Sequence, residues 1–325
     1  MTPAAACAVG VTGFGGFLGG EFAAALAASG HQVTDLDAYC RLPDPENLHN
    51  FPAKLDWVLH CAARTSIAQS VQDPEGFLQA NLAATRAALD VAVSRRAAVI
   101  CLSSYVYGQP QYNPIDEDHP LSELNPYMAS KLAGERLATS LCVEHDLPLV
   151  VLRPFSVYGR RRQPGRLVSD LLDCLRAGEQ LAINDATPRR DYLYVADFCE
   201  LICAVVARQP ACAGVYNVGS GVDLSNLEVA ETLRHLAGDA RPVVVRGQPR
   251  ANDVHVCVAD LRKVSAAFAW QPRWSLEDGL RDLLERMGLG SAIISPAKQP
   301  QPLAPSAATN QHLRRDPARR RQKWR

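Results

Sequence analysis

Tyr127 and Lys131 stand four residues apart in Tyr127-Met128-Ala129-Ser130-Lys131. On a helix that spacing puts both side chains on one face. A free tyrosine titrates near ~10 and is a poor base at neutral pH. An ammonium beside it stabilises the phenolate and brings it toward the operating range. Ser103, which follows an apolar run earlier in the chain, can hold the same substrate oxygen with its hydroxyl. The three read as a catalytic set for acid–base work. A Tyr-x-x-x-Lys pair by itself is common by chance and more often a surface pair.

A second group of residues can hold a phosphate. Val11-Thr12-Gly13-Phe14-Gly15-Gly16-Phe17-Leu18-Gly19 follows an apolar strand pattern and opens a helical one. That is the context a dinucleotide fingerprint requires. Glycine lets the backbone turn sharply and come close to a pyrophosphate, whose charge a helix N-terminus favours. The spacing through Gly13, Gly16 and Gly19 is GxxGxxG, so these residues with Phe17 and Leu18 are the candidate cofactor contacts. Asp37 closes the second strand pattern. An acid there can bind the adenosine ribose hydroxyls and repel a 2′-phosphate, which favours NAD. Arg41 is close enough in sequence to accept a phosphate, which leaves NADP open. The plain alternative for Asp37 is a solvated turn aspartate.

The elements that must position these residues alternate. Strand patterns at Cys7–Val11, Gln32–Leu36, Asp56–Cys61, Ala97–Ser103 and Leu147–Arg153 interleave with helical ones at Phe17–Ser29, Asn81–Ser94 and Tyr127–His145. Alternation of this kind predicts an α/β fold, a Rossmann-type doubly wound parallel sheet. Its ligands bind at the carboxyl ends of the strands. From Pro154 the pattern is less regular, with helices at Leu167–Ala177, Val195–Arg208, Leu227–Leu236 and Leu276–Met287. The expected organisation is an NAD(P)-binding domain over 1–153 and a smaller substrate-binding lobe over 154–290, partly interleaved with the first. Residues 291–325 are rich in Pro and Arg and read as a disordered basic tail.

Composition bounds the rest. The chain has 325 residues with 34 Lys+Arg, 34 Asp+Glu and 47% hydrophobic content. It is long enough for a sizeable core, and no apolar run of about 18 residues spans a bilayer. Ten cysteines occur without a CxxC pair and read as packed thiols, and no metal site is expected. The start, Met1-Thr2-Pro3-Ala4, lacks the basic residue of a secretory signal, so a cytoplasmic setting is expected. The zero net charge is a cancellation. Residues 291–325 hold eight bases and one acid, leaving 26 bases against 33 acids before them. Nucleic-acid binding, if any, is confined to the tail.

Several further segments accompany these motifs: Leu59-His60-Cys61-Ala62-Ala63, Ser103-Ser104-Tyr105-Val106-Tyr107-Gly108, Arg153-Pro154-Phe155-Ser156-Val157-Tyr158-Gly159, Arg190-Asp191-Tyr192 and Val215-Tyr216-Asn217-Val218-Gly219. With them the chain resembles the extended short-chain dehydrogenase/reductases, and within these the NAD-dependent epimerase/dehydratase family acting on nucleotide sugars. The resemblance runs from about Ala6 to Arg286. It implies catalysis by Ser103, Tyr127 and Lys131 and cofactor contacts from Ala62 and Asn81. It also implies substrate contacts from Ser103, Ser156, Arg190, Asn217 and Arg250, the arginines clamping a diphosphate, and a homodimer. His60 and His119 have no counterpart of this kind and read as structural.

The departures are informative. Relatives that act as 4,6-dehydratases carry Asp-Glu where this chain has Ser104-Tyr105. Ser156 replaces a common Asn, and Arg160-Arg161-Arg162 replaces a usual Pro-Gly stretch, adding charge near a diphosphate or only a solvated loop. The link from Asp37 to Asp56 is short, as in GDP-4-keto-6-deoxymannose reductase. The expected activity is an NAD-dependent nucleotide-sugar 4-epimerase. A 4-keto-6-deoxyhexose reductase is the alternative, and a non-catalytic dinucleotide-binding module is the third reading.

Overall fold

Short runs that are buried almost throughout build a parallel sheet. They are β1 (Ala8–Thr12), β3 (Trp57–His60), β4 (Ala98–Leu102) and β5 (Leu149–Pro154). With β2 (Gln32–Asp35) and β9 (Gly214–Val218) they lie in the order β2-β1-β3-β4-β5-β9. Every neighbouring pair is parallel. Such runs read as near-continuous hydrophobics because helices cover both faces. The computed structural model describes residues 6–37, 52–208, 212–248 and 254–289. Arg250, Arg41 and the segment 291–325 lie outside them.

On one face α1 (Phe17–Ala28) and α6 (Val195–Ala207) bring Phe22, Leu26, Phe198 and Leu201 onto Val11, Leu59 and Ile100. On the other, α3 (Pro74–Arg95) and α4 (Pro126–Glu144) bring Ala88, Leu89, Ala138 and Cys142 onto Val58, Val99 and Val151. Each buried Leu or Phe contributes about 1.5–3 kcal/mol. The chain runs outward from β1 to β2, then returns to β3 on the other side of β1. This reversal opens a crevice at the strands' carboxyl ends, where open α/β sheets bind ligands.

A second lobe is built on β8 (Arg189–Tyr194), flanked by β6 (Ser156–Tyr158), β10 (Asp223–Ser225) and β12 (Val256–Cys257). A ribbon of β7 (Ala182–Ile183) and β11 (Val244–Val245) lies off it. Helices α5 (Leu167–Arg176), α7 (Asn226–Leu236) and α8 (Leu276–Arg286) pack around Tyr158, Tyr194 and Leu233. Between these elements β9 goes back to pair with β5 in the first sheet. Two features differ from the sequence reading. A short α2 (Ile67–Gln72) precedes α3, and α3 starts at Pro74 rather than Asn81. The Asp73 carboxylate caps it by accepting the Gly76 N–H at 3.0 Å, with Pro74 at the first helical position.

Two buried carboxylates tie the parts together. Asp191 on β8 accepts from the Ser220 N–H, Ser220 hydroxyl, Gly221 N–H and Ala259 N–H. Asp197 on α6 accepts the backbone N–H groups of Arg273 at 2.9 Å and Trp274 at 3.0 Å. Burial pushes the Asp197 carboxyl up to about 6, even against those two hydrogen bonds. Among the described residues no helix is long and apolar enough to cross a membrane. The nine described cysteines are free, and no cluster suited to a metal ion occurs among those residues.

Candidate active site

The glycine loop joins β1 to α1 at the crevice. Gly13 has φ +70, and a Cβ there would meet the Ala62 backbone nitrogen at 2.8 Å. Only glycine permits both the left-handed backbone and this approach to the chain leaving β3. Gly16 is the N-cap of α1, whose first turn has no side-chain cap and no acid. The free N–H groups of such a turn favour an anion. Asp37, at the end of β2, accepts the Gly13 N–H at 2.5 Å and the Gly15 N–H at 3.4 Å. Its carboxylate therefore lies at the loop rather than out in solvent. Phe17 and Leu18 begin α1, half-buried.

Thr12 and His60 brace the floor. Thr12 Oγ1 accepts the N–H groups of Cys61 and Ala62, both at 3.2 Å, so its own proton goes to His60 Nδ1 at 2.8 Å. Thr85 Oγ1 donates to the Asn81 carbonyl at 2.9 Å, so it accepts from His60 Nε2 at 3.0 Å. This network assigns the neutral Nε2–H tautomer. Burial, with the Lys131 charge second, holds the imidazole down at about 3. His60 is thus a neutral structural bridge. His119 is another, accepting the Gln111 N–H at Nε2 and meeting the Pro120 carbonyl at Nδ1.

The catalytic candidates come from β4 and α4. Ser103 follows β4 and donates its N–H to the Leu152 carbonyl at 2.8 Å. Asn125 caps α4 by accepting the Met128 N–H at 2.9 Å, with Pro126 next. This sets Tyr127 in the first turn and Lys131 one turn on. Helix α3 holds that face in place. Asn81 Nδ2 donates to Ser130 Oγ at 2.9 Å, and the rings of Phe77 and Tyr127 meet edge-on at 6.3 Å. Ser103 Oγ, in a residue 5% exposed, is the one buried side-chain polar atom among the described residues with no hydrogen-bond partner. Tyr127 Oη and Lys131 Nζ also have no hydrogen-bond or ion-pair partner among them. Leaving a buried hydroxyl unpaired costs about 1–3 kcal/mol, which a ligand oxygen would offset. Lys131, Ala62, Ala63, Asn81 and Ser130 line one cavity beside it.

The other sequence candidates lie on α3, β6, β8 and β9. Arg190 lies on β8, half-buried, with Nη1 on the Arg189 carbonyl at 3.0 Å. Ser156 opens β6, also half-buried. Asn81 spends its amide on both the Arg64 N–H and carbonyl as well as Ser130. Asn217 is fully buried. Its Oδ1 accepts from the Tyr107 hydroxyl at 2.5 Å and its Nδ2 donates to the Ile115 carbonyl at 2.9 Å. Both polar ends are used inside the protein, so its side chain braces the core under the site.

Sequence reading missed the pair behind α4. Arg153 on β5 meets Glu135 on α4 through two parallel bonds, at 3.0 and 2.6 Å, and donates to Tyr107 Oη at 3.1 Å. Glu135 is one turn beyond Lys131, a spacing that could have flagged it. No carboxylate takes the place of the dehydratase acids. Tyr105 stands there with its hydroxyl on the Gly108 carbonyl at 2.5 Å, and burial pushes that phenol well above its usual value.

A parallel doubly wound sheet, a glycine loop on a helix N-terminus, and unpaired Ser, Tyr and Lys groups at its crevice define a dinucleotide-dependent oxidoreductase or isomerase of the tyrosine type. Residues 9–219 match the model of the NAD dependent epimerase/dehydratase family. The chain belongs to that family. It is 31% identical to the low-salt glycan biosynthesis protein Agl12 of Haloferax volcanii over 83% of this chain and 95% of that one. It is 29% identical to a dTDP-glucose 4,6-dehydratase of Streptomyces niveus, over 89% and 95%. Among solved structures it resembles RMD from Pseudomonas aeruginosa complexed with NADPH, with TM-score 0.77 and 27% identity over 86% and 98%. It also resembles the Thermotoga maritima UDP-glucose 4-epimerase with UDP-glucose, with TM-score 0.76 and 25% identity over 86% and 99%. The fold and an NAD(P)-type cofactor thus follow from the family, and the residues present are compatible with it: Gly13 keeps the loop free of a side chain, Asp37 lies at the loop, and Ser103 Oγ has no partner inside the protein.

Proposed function

We propose that the protein is an NAD-dependent epimerase that inverts C4 of a nucleotide-linked hexose. The observation that carries the reading is the set of three unpaired groups at Ser103, Tyr127 and Lys131 without the carboxylates a dehydratase uses. Bound NAD supplies a reversible acceptor for the C4 hydrogen, chemistry that belongs to the cofactor. Tyr127 Oη, as phenolate, takes the proton from the C4 hydroxyl. Ser103 Oγ donates to the same oxygen and holds it as the carbonyl forms. Lys131, one turn on along the same helix face, brings positive charge toward Tyr127 and would hold the ribose of the bound dinucleotide. Tyr127 returns the proton once the 4-keto sugar has turned its other face. Arg190 supplies charge for the diphosphate.

The similarity to a dTDP-glucose 4,6-dehydratase does not extend to its acids, because residues 104 and 105 here are Ser and Tyr. The test is a panel of UDP-, GDP- and dTDP-hexoses incubated without added reductant and read by NMR. Inversion at C4 of at least one is expected. Inversion of none counts against the epimerase. A second reading, a 4-ketoreductase, draws on the similarity to RMD with NADPH and on the short link after Asp37. It requires net consumption of NAD(P)H, followed by absorbance, whereas an epimerase shows none.

A further inference from the structure

We propose that Arg161 is a ligand of the cofactor pyrophosphate, brought to the glycine loop from the second lobe. Three arginines follow β6, and the structure gives them different work. Arg160 lies 3.9 Å from Glu21 on α1, and Arg162 pairs with Asp173 on α5 at 2.6 Å. Arg161 has no carboxylate partner among the described residues. Instead its Nη1 donates to the carbonyl oxygens of Gly15 and Gly16, each at 2.8 Å. Its charge therefore rests on the two residues that lead into α1. Gly20, one turn into that helix, leaves the space for it. A Cβ there would come within 2.6 Å of Arg161 Nη2.

The geometry leaves Nε–H and the Nη2 hydrogens uncommitted. A guanidinium in that state matches phosphate oxygens through paired, charge-assisted bonds. The helix N-terminus beside it contributes N–H groups but only a fractional charge. A pyrophosphate seated there carries about two negative charges, and the first turn of α1, Phe17-Leu18-Gly19-Gly20, has no cation of its own. Arg161 supplies that cation from the other lobe, so the cofactor would be clasped by both. The proposal rests on the dinucleotide at the glycine loop and is independent of which sugar is turned over.

The test is binding to the full chain after removal of co-purified nucleotide. NAD+ and ADP-ribose are titrated by calorimetry, and adenosine, which lacks phosphate, by NMR. Hydrogen bonds to charged groups are large enough to cost about tenfold in affinity when lost. Arg161→Gln is expected to weaken NAD+ and ADP-ribose by about that factor and leave adenosine within about twofold. Arg161→Lys, which keeps the charge but not the fork, should fall between. If NAD+ and ADP-ribose bind Arg161→Gln within about twofold of wild type, the proposal is overturned. It is also overturned if adenosine weakens in parallel, since the arginine would then only shape the loop. Should Arg161→Gln not fold, the ratio of ADP-ribose to adenosine affinity in Arg161→Lys decides in the same way. A wild-type protein that binds no ADP-ribose overturns the pyrophosphate site and the proposal with it.

Discussion

Replacing Glu135 with Gln should be one of the most damaging single changes outside the catalytic set. The side chains of Arg153 and Glu135 are 5% and 9% exposed and share two hydrogen bonds. Glu135→Gln keeps the shape but leaves the Arg153 guanidinium in the interior without its counter-charge. Breaking a buried pair from one side costs about 3–5 kcal/mol. At about 2–4 °C per kcal/mol, the figure for somewhat shorter chains, the melting temperature should fall by roughly 6–20 °C. Urea unfolding at pH 7, followed by circular dichroism, measures the loss. The double variant Glu135→Leu, Arg153→Met removes both charges and fills the space with apolar groups, which is often neutral or stabilising. It should recover most of the stability. A loss below about 1 kcal/mol in Glu135→Gln, or a double variant no better than the single one, refutes the reasoning.

Tyr127→Phe should lower turnover by at least about 10²-fold, the usual reach of a positioned acid–base group, while NAD+ affinity by calorimetry changes by less than about threefold. Gly13→Ala must force a side chain to φ +70 and within 2.8 Å of the Ala62 nitrogen. A strained residue of that kind costs about 1–3 kcal/mol, and cofactor binding measured by calorimetry should fall with it. Asp197 gives a pH signature. Its folded value is raised by burial to about 6 from 3.8, so its contribution is fully present below about pH 4 and is lost as pH rises through about 6. The shift is worth about 3 kcal/mol. Urea midpoints from pH 4 to 7 should show this downward slope in wild type relative to Asp197→Asn, and equal slopes would contradict it.

The first half of the fold was legible in the sequence because its signals are local. Val9-Gly10-Val11 running into the glycines, and Tyr127 with Lys131 one turn apart, each announce an element within a few residues. The sheet followed from their alternation. The start of α3 is hidden from the apolar pattern, which becomes regular only from Asn81, because the helix is set by the Asp73 cap and Pro74. The second lobe was hard to read for a different reason. Its sheet pairs Ser156 with Tyr192 and Asp223 with Asp191, partners far apart in strands of three to six residues. Such strands carry too few residues for a period to show. Within the site, a side chain's type did not reveal whether it faces the cleft or the core. Asn217 is spent on Tyr107 and Ile115, while Arg161, in a stretch that reads as charge near a diphosphate or as a solvated loop, lies on the glycine carbonyls.

The central claim is that Ser103, Tyr127 and Lys131 carry out a closed oxidation and reduction at one carbon. Running the nucleotide-hexose panel in D2O tests it most directly. The account predicts C4 inversion of at least one sugar, with no deuterium at C4 and no net change in NAD(P)H absorbance, because the hydrogen leaves and returns without meeting solvent. Deuterium at C4, or consumption of cofactor in step with product, would contradict it.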